Sequence, residues 1–364
     1  MKKIVFAMPQ LFGGGAERVV AALVDQISRM DDCQVHLITY IRDPEKDYPV
    51  EARVIRHSME AGGESAIRRI LGKIRFLRRT VRDIQPDCVV SLAGPAMITL
   101  LVLAMHGMGI PLVLSERNDP KSYPKPRYLR VLRTWAYRCS DAMVFQTHEA
   151  MSFFPASIQR KGTVISNPLT ARLPEPYTGF REPRIVTSCR LTPQKNLDLM
   201  IDAFSDIARD FPGYTLDIYG DGPEKARLDA KIRSMELSGR VILHGYSSRI
   251  YADIGKASLF VSSSDYEGIS NSMLEAIALG IPTVCTDCPA GGARETIVHG
   301  CNGLLVPVRD REKLATAMAS LLSDRTLADR IGREGVGLRE KNSIASIAQQ
   351  WMGVIGKTIR SSQD

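Results

Sequence analysis

Ten short runs of apolar, mostly β-branched residues, spaced by helix-like and turn-rich stretches, constrain this chain more than any other feature. The first five are Lys3-Ile-Val-Phe-Ala, Val35-His-Leu-Ile-Thr, Cys88-Val-Val-Ser, Pro111-Leu-Val-Leu and Ala142-Met-Val-Phe. The second five are Arg184-Ile-Val-Thr-Ser, Tyr214-Thr-Leu-Asp-Ile-Tyr, Arg240-Val-Ile-Leu, Leu259-Phe-Val-Ser and Thr283-Val-Cys. A strand apolar along its whole length must be covered on both faces, the condition of a parallel sheet held between layers of helix. Helical patterns at Glu17–Arg29, Ser65–Ile84 and Pro126–Cys139 supply such layers in the first half.

The segment Leu173-Pro-Glu-Pro-Tyr-Thr-Gly-Phe-Arg-Glu-Pro183 breaks the alternation with three prolines and a glycine, and reads as a linker. At 364 residues the chain exceeds one ordinary core and suits two. The expectation is an α/β protein of two Rossmann-like domains, residues 1–172 and 184–343, joined by 173–183 and facing each other across a cleft. Residues 344–364 turn helical again from about Ile347 to Ile359 and are expected to cross back onto the first domain. Ligands of such sheets bind at the carboxyl ends of the strands.

Hydrophobic content of 44% and charged content of 24% describe a soluble globular protein. Met1-Lys-Lys-Ile runs straight into a strand pattern without a leader, and the apolar run Met97–Met108 is too short and interrupted to span a bilayer. Seven scattered cysteines suit a reducing cytosol. Cys285-Thr-Asp-Cys288 lacks the second pair or histidine that a zinc site needs, and reads as the end of a buried strand. Residues 1–172 hold 25 Lys+Arg against 16 Asp+Glu, so the first half carries the chain's entire positive excess.

The stretch Asp265-Tyr-Glu267-Gly-Ile-Ser-Asn-Ser-Met-Leu-Glu275-Ala-Ile-Ala-Leu-Gly280 joins an apolar strand to a helix that ends at Gly280-Ile-Pro282. Glu267 falls in the loop and Glu275 about one turn into the helix. Between them the backbone N–H groups of Ser270 to Met273 form an anion site. Carboxylates on either side suit hydroxyls, such as those of a ribose and a sugar, flanking a bound phosphate. The competing reading makes Ser272-x-x-Glu275 a capping box serving only the helix.

Three further motifs follow strands. Gly13-Gly-Gly15-Ala-Glu17-Arg18 lets backbone approach a phosphate, or is a plain tight turn; it matches neither GxGxxG nor a P-loop. Ser188-Cys-Arg190-Leu-Thr-Pro-Gln-Lys195-Asn196 sets two cations about a turn, able to grip a diphosphate, or else solvated surface charge. Tyr219-Gly-Asp-Gly-Pro-Glu224 reads as turn and cap rather than ligand contact, and the Gly245-Tyr246 turn is placed loosely beside a base.

Together these motifs, with Asn302-Gly-Leu-Leu-Val-Pro307, resemble the retaining GT-B glycosyltransferases of family 4 in order along nearly the whole chain. The resemblance implies a GT-B fold and a nucleotide-sugar donor, with no metal and no cofactor. It gives Arg190 and Lys195 to the donor diphosphate, Glu267 to the donor sugar at the reacting centre and Glu275 to the ribose. Gly14 and Gly15 would approach the phosphate or sugar from the first domain, and Gly268, Ile269, Ser270 and Asn271 complete the donor loop. Many relatives place a His after the Pro111–Leu114 strand; here Ser115-Glu-Arg117-Asn-Asp119 puts Arg there, facing an anionic acceptor rather than transferring a proton. The segment is similar to relatives that extend lipid-linked or capsular oligosaccharides. The general base, donor base and sugar, acceptor and linkage stay open; UDP is expected on family grounds alone.

A basic face completes the reading. Ile67, Ile70, Leu71, Ile74, Leu77, Val81 and Ile84 recur at helical spacing, with Arg68, Arg69, Lys73, Arg75, Arg78, Arg79 and Arg82 between them. The apolar stripe suits a helix packed on its sheet. The cations, joined by Lys121, Lys125, Arg127, Arg130, Arg133 and Arg138 around Tyr128 and Trp135, suit an anionic membrane, at about 1 kcal/mol each. No recognised nucleic-acid module accompanies them. The expectation is therefore a cytoplasmic enzyme on the inner face of the plasma membrane, meeting a polyprenyl-diphosphate-linked saccharide. Its alternatives are a nucleotide-sugar epimerase of similar fold and a degenerate, non-catalytic partner subunit.

Overall fold

The computed structural model describes residues 1–59, 66–171 and 173–362, with the side chains of all but residues 66 and 67. Glu64, Ser65, the Ile67 side chain, the boundary at Arg172 and the last two residues of the expected C-terminal segment, 363 and 364, lie outside the described residues. The chain divides into two compact units, Met1–Thr170 with Ile344–Asp364, and Ala171–Ser343.

The first unit is built on a parallel sheet of seven strands: β1 (Lys2–Met8), β2 (Cys33–Thr39), β3 (Ile55–Ser58), β4 (Cys88–Ser91), β5 (Leu112–Glu116), β6 (Ala142–Phe145) and β7 (Gly162–Val164). Their order across the sheet is β3-β2-β1-β4-β5-β6-β7. Chain direction therefore reverses beside β1, the switch of a doubly wound fold. Right-handed crossovers place helix Gly15–Ser28 on one face of this sheet and helices Ala66–Ile84, Pro95–Met105 and Arg127–Cys139 on the other. Those last three pack side by side in that order.

The second unit repeats the plan with β8 (Glu182–Ser188), β9 (Thr215–Tyr219), β10 (Val241–Gly245), β11 (Ala257–Ser262), β12 (Thr283–Thr286) and β13 (Leu304–Val306). The order is β10-β9-β8-β11-β12-β13, again all parallel. Its core gathers Ile185, Leu216, Leu259 and Val284 from the strands with Phe204, Leu228, Leu314 and Met318 from the helices.

The C-terminal helix Ile344–Ser361 belongs to the first unit, lying against helix Gly15–Ser28 and reaching β4 and β5. Ile347, Trp351 and Ile355, at four-residue intervals, are buried there. This spacing puts one stripe of the helix against the sheet.

The structure adds elements to the sequence reading. Helix Pro95–Met105 begins with Pro at its first position after an extended Gly94, a favoured start. Its residues are apolar nearly all round, and with Met97, Ile98, Leu101 and Ala104 buried it gives no amphipathic period to detect. The strands β3, β7 and β13, of three or four residues each, are too short to show an alternating pattern.

Trp351 is fully buried, so Trp351→Ala removes a large side chain from the first unit's core. Urea unfolding followed by circular dichroism should show a loss of about 3–5 kcal/mol.

Candidate functional site

In the second sheet β8 lies between β9 and β11, and the chain leaves β8 and β11 in opposite directions. Their carboxyl-end loops diverge, opening the crevice in which α/β sheets hold ligands. The loop after β8 carries Cys189 to Asn196 and includes a turn of 3-10 helix at Pro193–Lys195. The loop after β11 carries Ser263 to Ser270 and enters helix Asn271–Ala278.

Side chains tie the two loops together. Asn196 adopts a left-handed backbone at φ 43° and ψ 51°, caps helix Leu197–Ile207 by accepting from Leu199 N–H, and donates to Asp265 Oδ1 at 2.8 Å. Asparagine tolerates this conformation better than most side chains. Ser263 Oγ donates towards the Lys195 and Asn196 carbonyls at 2.9 and 3.0 Å. Gln194 donates to the Tyr266 carbonyl at 2.7 Å, and Asp265 N–H returns a bond to the Gln194 carbonyl at 2.9 Å.

Lys195 and Glu267 meet above this seam at 2.5 Å. Burial alone lowers the Lys195 pKa, but the Glu267 carboxylate overrides it, so the ammonium ends above its ordinary value and is fully charged at neutral pH. Ser264 Oγ donates to the other Glu267 oxygen at 3.0 Å. The Glu267 backbone is bonded in turn to the loop after β12, its N–H to the Pro289 carbonyl at 2.6 Å. Beside the pair the strand ends are tightly packed, with Ser188, Lys195, Ser262, Ser264 and Ser272 among the residues lining a crevice too narrow to admit a water. An open concavity of about 490 Å³ sits in the first unit's β2–β3 loop, around Arg42, Tyr48, Glu51 and Arg56. None of the residues that the sequence singles out lines it.

The structure separates the two readings of Glu275. Ser270, not Ser272, is the N-cap, accepting from Met273 N–H at 3.5 Å. Glu275 is therefore two residues beyond the capping-box position, and its buried carboxylate accepts from Tyr251 Oη at 3.0 Å. One of the four N–H groups expected to serve an anion is thus taken by the helix's own cap. Gly268 and Ile269 lie buried in the same loop, and Asn271 opens the helix. Arg190 projects from the β8 loop and is exposed.

Gly220-Asp-Gly-Pro223 buttresses that loop. A Cβ on Gly220, at φ +129°, would stand 1.9 Å from the Cys189 carbonyl oxygen, and one on Gly222 would stand 2.3 Å from that of Leu191. Leu191 N–H donates to the Asp221 carbonyl at 2.9 Å, and Glu224 N–H to the Leu191 carbonyl at 3.1 Å. The glycines serve close backbone packing. Tyr246, loosely assigned to a base, is 83% exposed.

Cys285 and Cys288 are buried and unpaired, and burial raises both thiols, Cys288 to about 12. Among the described residues no group of three or more metal-ligating side chains occurs.

In the first unit Gly14 precedes helix Gly15–Ser28 without a side-chain cap; a Cβ there would stand 2.1 Å from a Glu17 carboxylate oxygen. Arg75 and Arg79 are exposed, Arg79 lying 3.7 Å from Asp83. Arg78 instead donates to the Ala104 and His106 carbonyls at 2.8 and 2.9 Å, closing the end of the neighbouring helix. Arg130 donates to the Pro124 carbonyl at 2.7 Å. Arg133 departs from the expected basic surface: it is buried, bonded to the Tyr123 and Pro120 carbonyls and paired with Glu116 at 3.2 Å. Helical spacing alone cannot reveal the carboxylate that draws it inward. Arg117 is partly buried in the loop after β5.

Two Rossmann-like units on one chain make the GT-B fold. The model for glycosyl transferases group 1 matches residues 179–336, and that for glycosyltransferase family 4 matches residues 13–170. The chain belongs to the group 1, family 4 glycosyltransferases. It is 32% identical over 296 residues to an exopolysaccharide phosphotransferase of Streptomyces coelicolor, covering 79% of this chain and 30% of that protein. The chain spans about a third of the length of the first curated relatives it matches. It is 27% identical, over 90% of its length and 92% of the other's, to the Campylobacter jejuni N-acetylgalactosamine-N,N'-diacetylbacillosaminyl-diphospho-undecaprenol 4-alpha-N-acetylgalactosaminyltransferase. The crystal structure of Anabaena HepE in complex with UDP-glucose superposes with a TM-score of 0.79 at 19% identity, covering 99% of this chain and 100% of that one.

Gly222→Ala forces the β9 loop away from the loop that carries Arg190 and should cost about 1–3 kcal/mol by urea denaturation. Gly213→Ala, with nothing within 4 Å of its added methyl, should stay within about 0.5 kcal/mol of the parent.

Proposed function

We propose that this protein is a retaining glycosyltransferase that moves a sugar from a nucleoside-diphosphate sugar to a lipid-linked saccharide in cell-surface glycan assembly. The donor is a UDP-hexose or UDP-N-acetylhexosamine. The observation that carries the reading is the Lys195–Glu267 pair at the switch point of β8 and β11. It sets a cation suited to a diphosphate against a carboxylate suited to a sugar, beside a capped helix start. The named action of the Campylobacter relative on a diphospho-undecaprenol substrate and the UDP-glucose in the HepE crystal support the acceptor and donor classes.

In this reading Arg190 and Lys195 hold the donor diphosphate and stabilise the charge that grows on it as the glycosidic bond breaks. They supply that stabilisation without a metal. Glu267, steadied by Ser264, faces the sugar. Glu275, oriented by Tyr251, takes the ribose hydroxyls.

The protein would work at the inner face of the cytoplasmic membrane. Among the described residues no helix is long and apolar enough to cross a membrane. Helix Arg127–Cys139 turns Tyr128, Val131, Leu132 and Trp135 outward, at 66%, 69%, 36% and 37% exposure, with Arg127 and Arg138 exposed at its two ends. Apolar and aromatic side chains at i, i+3, i+4 and i+7 flanked by cations suit the surface of an anionic bilayer.

Two experiments test this. Nucleoside diphosphate release is measured from UDP-Gal, UDP-GalNAc, UDP-Glc, UDP-GlcNAc and GDP-Man in EDTA, with and without a polyprenyl-linked acceptor extract. Acceptor-dependent release from one donor is expected. Glu267→Gln should lower turnover at least about 100-fold while changing donor affinity less than about threefold, whereas Arg190→Ala weakens both. Wild-type turnover in Glu267→Gln would remove its assigned role. In flotation with anionic vesicles, the protein should rise with the lipid at low salt and less so at high salt. Absence of binding at low salt would remove the membrane assignment.

A further inference from the structure

The loops that follow β5, β6 and β7 bring Arg117, Gln146 and Asn167 together at one end of the first sheet. Asn167 Oδ1 accepts from Arg117 Nη2 and, at 2.8 Å, from Gln146 Nε2. The other nitrogens of the Arg117 guanidinium, Nε and Nη1, are sealed from solvent and have no hydrogen-bond partner.

The nearest carboxylate cannot serve them. Glu116 Oε1 accepts from the backbone N–H groups of Arg117 and Asn118 at 3.0 and 3.1 Å. Its Oε2 accepts from Tyr137 Oη and pairs with Arg133, both at 3.2 Å. Burial depresses the Arg117 pKa to about 10, with Glu116 only partly opposing it, so at neutral pH the side chain remains a sheltered cation. Leaving charged donors unmet costs more than leaving neutral ones, and such a group calls for an acceptor absent from the protein itself.

We propose that Arg117, with Gln146 and Asn167, forms an oxyanion subsite that takes a phosphate group of the acceptor. This rests on the reading that the acceptor is diphosphate-linked. The two unmet nitrogens donate in different directions around the guanidinium plane, so one planar carboxylate cannot satisfy both. A diphosphate, with oxygens spread over two tetrahedra, can. Binding requires the Arg117 side chain to turn outward from its sealed position, with Asn167 yielding its place. A lysine would keep the charge and lose the fork.

The test is titration calorimetry on the full-length protein saturated with UDP, which keeps phosphate probes out of the donor loops. Geranyl diphosphate should bind wild type, and Arg117→Gln should weaken it at least about tenfold, with Arg117→Lys between. UDP affinity should be equal in all three. Inorganic phosphate binding as tightly, with the same dependence on Arg117, would assign the subsite to free phosphate and overturn its place in the acceptor site. No binding of either probe to wild type, or equal binding to Arg117→Gln, would overturn the subsite itself. Thermal unfolding without ligand is a second readout: Arg117→Gln should be at least as stable as wild type, since it removes an uncompensated cation. A fall of several degrees would mark Arg117 as structural. Failure of UDP to bind wild type would count against the glycosyltransferase reading, separately from these outcomes.

Discussion

The second unit depends on one requirement: two parallel strands that diverge at a sheet's switch point leave loops whose polar groups must still be satisfied. β8 and β11 meet it with side chains, because their loops run to opposite faces and cannot continue the ladder. Asn196, Ser263, Gln194 and Asp265 bond loop to loop, and the Lys195–Glu267 pair crowns the seam. The groups that carry the proposed chemistry therefore grow out of the groups that hold the sheet end together. Their positions are set by backbone bonds as much as by their own contacts, which is the condition for a preorganised site.

Much of this was legible in the sequence. Apolar runs gave the parallel strands because fully buried strands leave no alternation to confuse. The motif from Arg190 to Asn196 and Glu267 fell in loops at strand ends, and Glu275 in the helix that follows, where the structure places them. The capping box of Ser272 and Glu275, by contrast, was only the competing reading, and the cap at Ser270, two residues earlier, removes it. What escaped was set by three-dimensional partners. Arg133 belongs by spacing to a basic face, but Glu116 and two carbonyls draw it inside. Tyr251 and Ser264, which steady the two glutamates, carry no motif of their own.

The two units use charge differently. In the second, Lys195 is matched by a carboxylate at contact distance and can lend its charge to a ligand only in competition with Glu267. In the first, Arg117 has no such counter-ion, because the adjacent carboxylate is already committed to Arg133, Tyr137 and the backbone. One unit holds its charge in reserve, and the other leaves it uncompensated within a single loop.

The return of helix Ile344–Ser361 to the first unit has a consequence for the order in which the molecule can be completed. A domain made from one continuous stretch can fold as it leaves the ribosome. Here the first unit lacks Trp351 and the rest of that helix until every residue of the second unit has been synthesised. The later half of the chain is thus the first to have all its parts. During synthesis, the β4 and β5 surface that the helix later covers waits exposed, and the earlier half finishes last.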